Sequence, residues 1–467
     1  MADQRTREFL ESRLNYEARG MPGLVELRVD RTALLLDRLG NPHHRLRVVH
    51  VAGTKGKGST STIIASLVAE SGRRVGLHTS PHLLQVEERF RINGIPIDSD
   101  QFSQMIDEMR PVIDEVDQIL SPRQPELTFF EITTALALLY FERERVDLAV
   151  IEVGMGGRLD STNVVDPLVS VITSISLDHT RQLGDTIAEI AFEKAGIIKT
   201  GKPVVSTVLA DEAMPVIDRR AEETESAIYR LGKEFHAEGR SKGLRGMEVR
   251  VRTWKRDWPA LTVRAIGEHQ IRNTAGALAT IDLLESQGDI NWHADLGTSL
   301  GTLRIPGRFE IFRRRPLVVL EVAHNPASFQ GLATTLRSVL PKEHRGRRIL
   351  LFAASRDKDW RSMLSHIAGV FSQVILTSYP SGARALPGEE MLWSARDIAP
   401  DIDVIEPAMD AWKAILKEAN AEGTKLDRPL GDVGPEMIGE DEDLICVAGS
   451  FYLVAELLRR DVASAVV

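Results

Sequence analysis

The sequence predicts an α/β protein of two domains, the first built on a mostly parallel sheet and the second smaller. Three observations predict it. A chain of 467 residues is longer than one ordinary hydrophobic core organises, so two domains are the natural division. Short β-branched runs alternate with helix-patterned stretches, the rhythm of βαβ units with helices on both faces of a sheet. That rhythm starts afresh after residues 303–306, which sets the expected domains at residues 1–303 and 304–467.

Taken in order, residues 45–51 (RLRVVHV) read as a buried strand, and residues 59–70 (STSTIIASLVAE) as a helix stopped by Gly72. Residues 74–78, 147–153 (DLAVIEV), 168–175 (LVSVITSI) and 204–209 read as further strands. Residues 222–265 differ: charges are scattered and short alternating runs occur (MEVRVRTW, LTVRAI), which predicts an antiparallel patch. Residues 271–286 (IRNTAGALATIDLLES) read as a helix. In the second domain, strands are expected at 317–322, 348–353, 373–377, 402–405 and 444–448. Gly, Pro and acidic residues crowd 420–442, predicting an exposed loop.

Composition narrows the function classes. Hydrophobic residues at 43% and charged residues at 27% are ordinary for a globular chain. A net charge of -9 argues against a general nucleic-acid binder, which is normally basic. The single cysteine, Cys446, allows no intrachain disulfide and no cysteine metal cluster, which suits a reducing compartment. Residues 1–13 hold no apolar run of a signal peptide, and the apolar stretches 132–141 and 444–454 fall short of the ~18 residues of a membrane span. The expectation is a cytoplasmic, monomeric enzyme without membrane or nucleic-acid partners.

Gly53-Thr54-Lys55-Gly56-Lys57-Gly58-Ser59, followed by Thr60, joins a predicted strand to a predicted helix. Glycines let backbone N–H groups turn toward an anion. The helix N-terminus adds partial positive charge, and Lys57 a full one, for β- and γ-phosphates. The Ser59 hydroxyl can ligate Mg²⁺. Strict Walker spacing fails, since position 51 is Val and Gly58 follows Lys57. The segment HVAGTKGKGST resembles the HVAGT-N-GKGS(T) block of the folylpolyglutamate synthase/dihydrofolate synthase family, within the Mur-type ligases, with Lys55 at the usual Asn. The resemblance implies a P-loop domain of the Mur central type, then a Rossmann-like glutamate-ligase domain. It also implies ATP as phosphate donor.

Ligands of open α/β sheets lie at the carboxyl ends of the strands. Glu152 ends DLAVIEV and precedes Gly154, Gly156 and Gly157; its carboxylate suits Mg²⁺. His179 follows the next strand. Singly, each also reads as a salt-bridge partner or a turn residue; in series with GKGS they point to one site. IEVGMGGRLDSTNVV and TSISLDHTRQLGDTIAEIAFEKAGIIK resemble two further blocks of the family. They imply that Glu152 and His179 help hold two Mg²⁺ ions, and that Lys194 matches a lysine carbamylated in many members. A monovalent cation is a further candidate. Ser80-Pro81-His82-Leu83 resembles S-P-H-L, whose serine serves a metal site and whose loop encloses the folate. Thr128, Phe129 and Phe130 fall in a segment that resembles L-T-x-F-E, which in the family lies near the pteridine; by themselves, two adjacent aromatics at a helix start also read as core.

GEHQIRN, with Asn273, resembles an ATP-contacting block; Pro306-Gly307-Arg308-Phe309 resembles P-G-R-F, whose Arg reaches the phosphates. Glu321-Val322-Ala323-His324-Asn325-Pro326 matches D-x-A-H-N-P, with Glu321 replacing Asp at an ATP contact. His324 and Ser450 are implied to face the incoming glutamate. The expected reaction is ATP-dependent addition of L-glutamate to folate, and to dihydropteroate, through an acyl phosphate. Arg308 is expected to act when the domains close. The alternatives are a Mur-type ligase for another acid and amino acid, a P-loop kinase or ATPase, and a non-catalytic nucleotide-binding regulator.

Overall fold

The computed structural model describes residues 3–16, 28–121, 124–291, 298–314, 316–341, 343–380, 384–399, 401–418 and 438–464. Gly23 and Leu24, where the family resemblance begins, lie outside the described residues, as do residues 420–437 of the expected loop.

The chain forms two compact units. The first comprises residues 1–238, 249–261 and 271–301; the second comprises 239–248, 262–270 and 302–467. The expected single cut after residue 303 therefore omits two short segments. Their assignment has a packing cause: Ile266 belongs to the apolar core of the second unit, and Leu244 packs against it.

In the first unit, β1 (Val48–Ala52), β2 (Val75–His78), β3 (Phe90–Ile92), β4 (Ile95–Pro96), β5 (Leu148–Glu152), β6 (Val169–Ile172), β7 (Val204–Ser206) and β8 (Ile228–Arg230) form one sheet. Its order is β4-β3-β2-β5-β1-β6-β7-β8. The run from β2 to β8 is parallel. Every residue of β1 and β5 is buried, as strands covered on both faces require, which explains their uninterrupted apolar runs. Val51 stands opposite Glu152 and Ala52 opposite Ile172, so the carboxyl ends of β5, β1 and β6 emerge side by side. Strands β3 and β4 add an antiparallel edge the sequence pattern did not announce.

The region 222–265 is only partly the separate patch expected from its alternation. Its first strand, β8, pairs parallel to β7 and completes the large sheet. The rest forms a small sheet of β9 (His236–Ser241), β10 (Met247–Arg252) and β11 (Leu261–Val263), in the order β11-β10-β9. Met247, Val249 and Val251 of β10 are buried, the period-two pattern seen in MEVRVR.

One core of the first unit gathers Phe102, Ile106 and Met109 of the helix Ser99–Leu120 with Ile132, Leu136 and Leu139 of Phe129–Arg143. A second gathers Ile172, Ile190, Ile198 and Val208. In the second unit, β12 (Glu310–Arg314), β13 (Leu317–Leu320), β14 (Arg348–Phe352), β15 (Gln373–Leu376), β16 (Ile402–Val404) and β17 (Leu444–Ala448) are ordered β12-β13-β17-β14-β15-β16. All pairings are parallel except β12 with β13. Among the described residues, no helix is long and apolar enough to cross a membrane.

Candidate active site

Strand β1 ends at Ala52, and the next helix runs Lys57–Glu70 with Gly56 as its N-cap at φ 85°. That left-handed conformation favours glycine. Space demands it as well: a Cβ on Gly56 would overlap the Asn273 side-chain amide, and one on Gly53 would overlap the Thr173 hydroxyl. The turn is pinned to the loop after β6. Thr54 N–H donates to the Ser174 carbonyl at 2.6 Å, Lys55 N–H to Ser174 Oγ at 3.0 Å, and Thr173 Oγ1 to the Lys55 carbonyl at 2.6 Å. Lys57 Nζ folds back to donate to the Gly53 carbonyl at 3.1 Å. Ser59 and Thr60 are buried in the first helical turn, below the positive end of the helix dipole. The expected phosphate residues Gly53, Thr54, Gly56, Lys57, Gly58, Ser59 and Thr60 thus share one turn, and the Asn273 side chain lies against it.

Glu152 faces that turn. It is 4% exposed, and its carboxylate oxygens lie 3.5 Å from where a Cβ on Gly58 would sit. Its Oε2 accepts from the Ser80 N–H at 3.1 Å, which joins the ends of β5 and β2. Lys194, in the last turn of the helix Ile187–Ala195, is likewise 4% exposed. Burial pushes its amine down from 10.5 to about 7, helped by the positive charge of Lys57 and opposed by Asp178, Asp160 and Glu193. Lys57 of the phosphate turn and the buried Lys194 therefore share one electrostatic environment.

Among the described residues, no three His, Cys, Asp or Glu side chains form a metal cage. The donor chemistry nevertheless fits Mg²⁺, which is held through one or two carboxylates with the remaining positions filled by phosphate oxygens and water. Glu152 is such a carboxylate, and the hydroxyl-bearing Ser59 is buried on the helix turn that it faces. His179 has a left-handed φ of 51°, a side chain 44% exposed, and a ring 3.9 Å from the Asp178 carboxylate.

The sequence reading missed Asp160. It is 2% exposed, and its carboxylate accepts from Met155 N–H at 2.8 Å and from Thr162 N–H at 3.0 Å. It thereby shapes the glycine turn after Glu152. Its only sequence signal was its place in GGRLD.

The segments implied to hold the acid substrate divide by burial. Pro81 is exposed, His82 is half-buried with Nδ1 accepting from Arg89 Nε at 2.9 Å, and Leu83 is buried. Thr128 is occupied in a capping box: its Oγ1 accepts from Glu131 N–H at 3.2 Å and donates to Glu131 Oε2 at 2.8 Å. Arg31 grips the same carboxylate from Nε at 2.7 Å. Phe129 is 6% exposed in the core, its ring 5.0 Å from the Arg89 guanidinium carbon. Leu83, Thr128 and Phe129 are thus buried, with Thr128 and Phe129 engaged by neighbouring side chains. Phe130 is partly exposed. Its ring lies 6.4 Å from that of His78 and fills the space a side chain at Gly154 would need.

In the second unit, Arg308 NH1 lies 3.9 Å from Glu321 Oε1, and Glu321 Oε2 accepts from Phe309 N–H at 2.8 Å. The departure from Asp at 321 thus leaves a carboxylate that shapes the Arg308 turn. The Arg308 guanidinium carbon stands 5.9 Å from the Phe451 ring centre, and the His324 ring 6.3 Å from it. His324 Nδ1–H donates to the Val322 carbonyl at 2.9 Å. Ser450 is buried, its Oγ accepting from Tyr452 N–H at 3.1 Å. Arg308, Glu321, His324 and Ser450 are grouped at the carboxyl ends of β13 and β17.

Comparison with known proteins agrees with this geometry. Residues 51–281 match the Mur ligase middle domain, and residues 307–451 the Mur ligase glutamate ligase domain. A dihydrofolate synthase/folylpolyglutamate synthase of Bacillus subtilis is 36% identical over 462 residues, covering 98% of this chain and 99% of the relative. A Mycobacterium tuberculosis folylpolyglutamate synthase solved with ADP and AMPPCP superposes with a TM-score of 0.84 at 29% identity, over 98% of this chain and 97% of that one. Escherichia coli FolC bound to DHPP and ADP superposes with a TM-score of 0.79 at 27% identity, over 98% of each chain.

Proposed function

The chain belongs to the folylpolyglutamate synthase/dihydrofolate synthase family of Mur ligases, and from that premise we propose which of its residues carry the reaction. It is an ATP-dependent amide ligase that adds L-glutamate to a folate-type carboxylate. Both folate and dihydropteroate are proposed as acceptors, as in relatives that carry both names.

A carboxylate resists attack by an amine. Transfer of the γ-phosphoryl group to it forms a P–O bond as the bond to ADP breaks, and leaves an acyl phosphate. The glutamate amine then attacks the acyl carbon, the C–O bond to phosphate breaks, and the nitrogen loses a proton. Lys57 and the N–H groups of the Gly53–Ser59 turn bind the phosphates and stabilise charge on the transferring group. Asn273 bounds the nucleotide side of that turn.

Ser59 and Glu152 would hold Mg²⁺, which supplies charge neutralisation on phosphoryl oxygens. Ser80, His179 and Lys194 are proposed as further ligands for a second ion, with a monovalent cation admitted beside it. Lys194 would serve as its carbamate. A neutral amine captures CO₂, forms an N–C bond and loses a proton, and an amine held near 7 is substantially neutral at physiological pH. Phe130, Pro81 and His82 are proposed to contact the acid. For the second unit, Arg308 and Glu321 are proposed to serve ATP, and His324 and Ser450 the glutamate.

The observation that supports this reading most is the buried Glu152 facing the turn after β1 at Gly58, with Lys57 of the same turn close enough to act on the buried Lys194. Lys57→Ala tests it: glutamate-dependent ATP turnover should fall by roughly 100-fold or more. Full ligation by that variant removes the phosphate role. Substrate profiling with alternative acids and amino acids separates this activity from that of another Mur-type ligase. ATP consumption independent of glutamate would favour a kinase or ATPase.

A further inference from the structure

His50 lies in the middle of β1, fully buried, three residues before the phosphate turn. Burial, with the charge of Lys199, holds its imidazole down to about 3, so the ring is neutral and carries one N–H. Its Nε2 is 2.9 Å from Thr162 Oγ1, and its Nδ1 is buried with no hydrogen-bond partner among the described residues. Thr162 Oγ1 is in turn 2.5 Å from Asp160 Oδ1.

Two proton arrangements fit those positions. With the proton on Nδ1, a buried N–H goes unpaired, and Thr162 must donate to Nε2. Asp160 must then be protonated to satisfy the Thr162 oxygen. With the proton on Nε2, His50 donates to Thr162, and Thr162 donates to an Asp160 carboxylate. Only a bare nitrogen lone pair is then left over. Burial raises the Asp160 carboxyl, but the Thr162 hydroxyl and the N–H groups of Met155, Thr162 and Gly154 that face it all favour the ionised acceptor. Orphaned buried donors are the rarer and costlier defect, so the second arrangement wins.

We propose that His50 is a positioning residue which, through Thr162, holds Asp160 as an acceptor and so fixes the glycine turn that backs onto Lys194. The remaining links are short. Asp160 Oδ2 accepts from Met155 N–H at 2.8 Å. Gly157 packs so closely that a Cβ there would sit 2.9 Å from the Glu193 carbonyl and 3.1 Å from that of Lys194. Arg158 N–H donates to the Glu193 carbonyl at 2.7 Å, and Asn163 Nδ2 to the Gly196 carbonyl at 3.2 Å. Strand β1 is thus tied twice to the site, once by chain continuity into the phosphate turn and once by His50 to the wall beside Lys194.

The kinetic side of this inference rests on the ligase reading; the structural side does not. The test pairs both on the full-length protein. In ¹⁵N-histidine NMR of the wild type, His50 should appear as the neutral Nε2–H tautomer; an Nδ1–H tautomer overturns the proposal. In turnover, His50→Leu should lower kcat about 10-fold with KM for ATP little changed, and His50→Gln, which keeps an N–H donor, should restore most of it. Thr162→Val should match His50→Leu, and the double variant should be no worse than either alone, because one chain is cut once or twice. Additive losses, or a His50→Leu enzyme equal to wild type, contradict the proposal. A wild type without glutamate-dependent turnover would end the ligase reading, while the tautomer would still decide this inference.

Discussion

The Asn273 side-chain amide lies directly over Gly56, where a Cβ would overlap it. Asn273 belongs to the helix His269–Ser286, so a residue more than 200 positions along the chain closes the nucleotide turn. Gly56→Ala meets two obstacles there, this overlap and a φ of 85°. It should raise KM for ATP at least about tenfold, a loss of ~1.4 kcal/mol in binding, while the KM for glutamate stays near wild type. ATP titration of the purified variant measures it; an unchanged KM would separate Asn273 and Gly56 from the nucleotide.

Lys194→Ala removes the only proposed ligand that requires modification. Turnover should drop about 100-fold, and added formate or acetate should recover part of it by supplying the missing carboxylate oxygens. With ¹³C-bicarbonate, wild-type protein should show a carbamate resonance that Lys194→Ala lacks. An active Lys194→Ala enzyme, or a carbamate signal that survives the substitution, removes Lys194 from the site.

The neighbouring phenylalanines should behave differently. Phe130 is partly exposed against Gly154, so Phe130→Ala should raise KM for the acid substrate about tenfold with little change for ATP. Phe129 is 6% exposed in the core, so Phe129→Ala should cost about 3–5 kcal/mol of stability. Urea denaturation beside steady-state kinetics separates the two. Equal effects of both substitutions on stability and on KM would refute the division.

A histidine sets part of the acid limit. His78 is fully buried, its Nδ1–H bonded to the Arg89 carbonyl at 3.0 Å. Burial and the Arg89 charge push it down from 6.5 to about 4. The folded state therefore prefers the neutral ring, and below pH 6.5 the unfolded chain binds the proton first. This stability is complete above pH 6.5 and is lost as pH falls toward 4, about 3 kcal/mol over the window. His78→Phe should flatten that part of the pH profile of urea midpoints. A variant with the wild-type slope would assign the loss to other groups.

How much of this was legible depended on what leaves a local trace. Strands β1, β5 and β6 were readable because burial on both faces demands continuous β-branched runs. Strands β3 and β4, of three and two residues, are too short to carry a period, and β8 was drawn into the wrong sheet because its three residues are all only half-buried. Lys57 and Glu152 were legible because their chemistry needs glycines beside them. Lys194 was found only by resemblance, since a lysine on a helix gives no sign of being 4% exposed. Asp160 was missed for the same reason. Phe129 and Phe130 are adjacent in sequence, and only the helix phase decides which one reaches the surface.

The most direct test is to incubate the protein with ATP, Mg²⁺, L-glutamate and either folate or pteroate, and to follow ADP release and product mass together. One glutamyl residue should be added per ATP consumed, with negligible ADP release when either the acid or glutamate is omitted. ADP release that proceeds without them, or an acid recovered unchanged after ATP is spent, would contradict the ligase assignment.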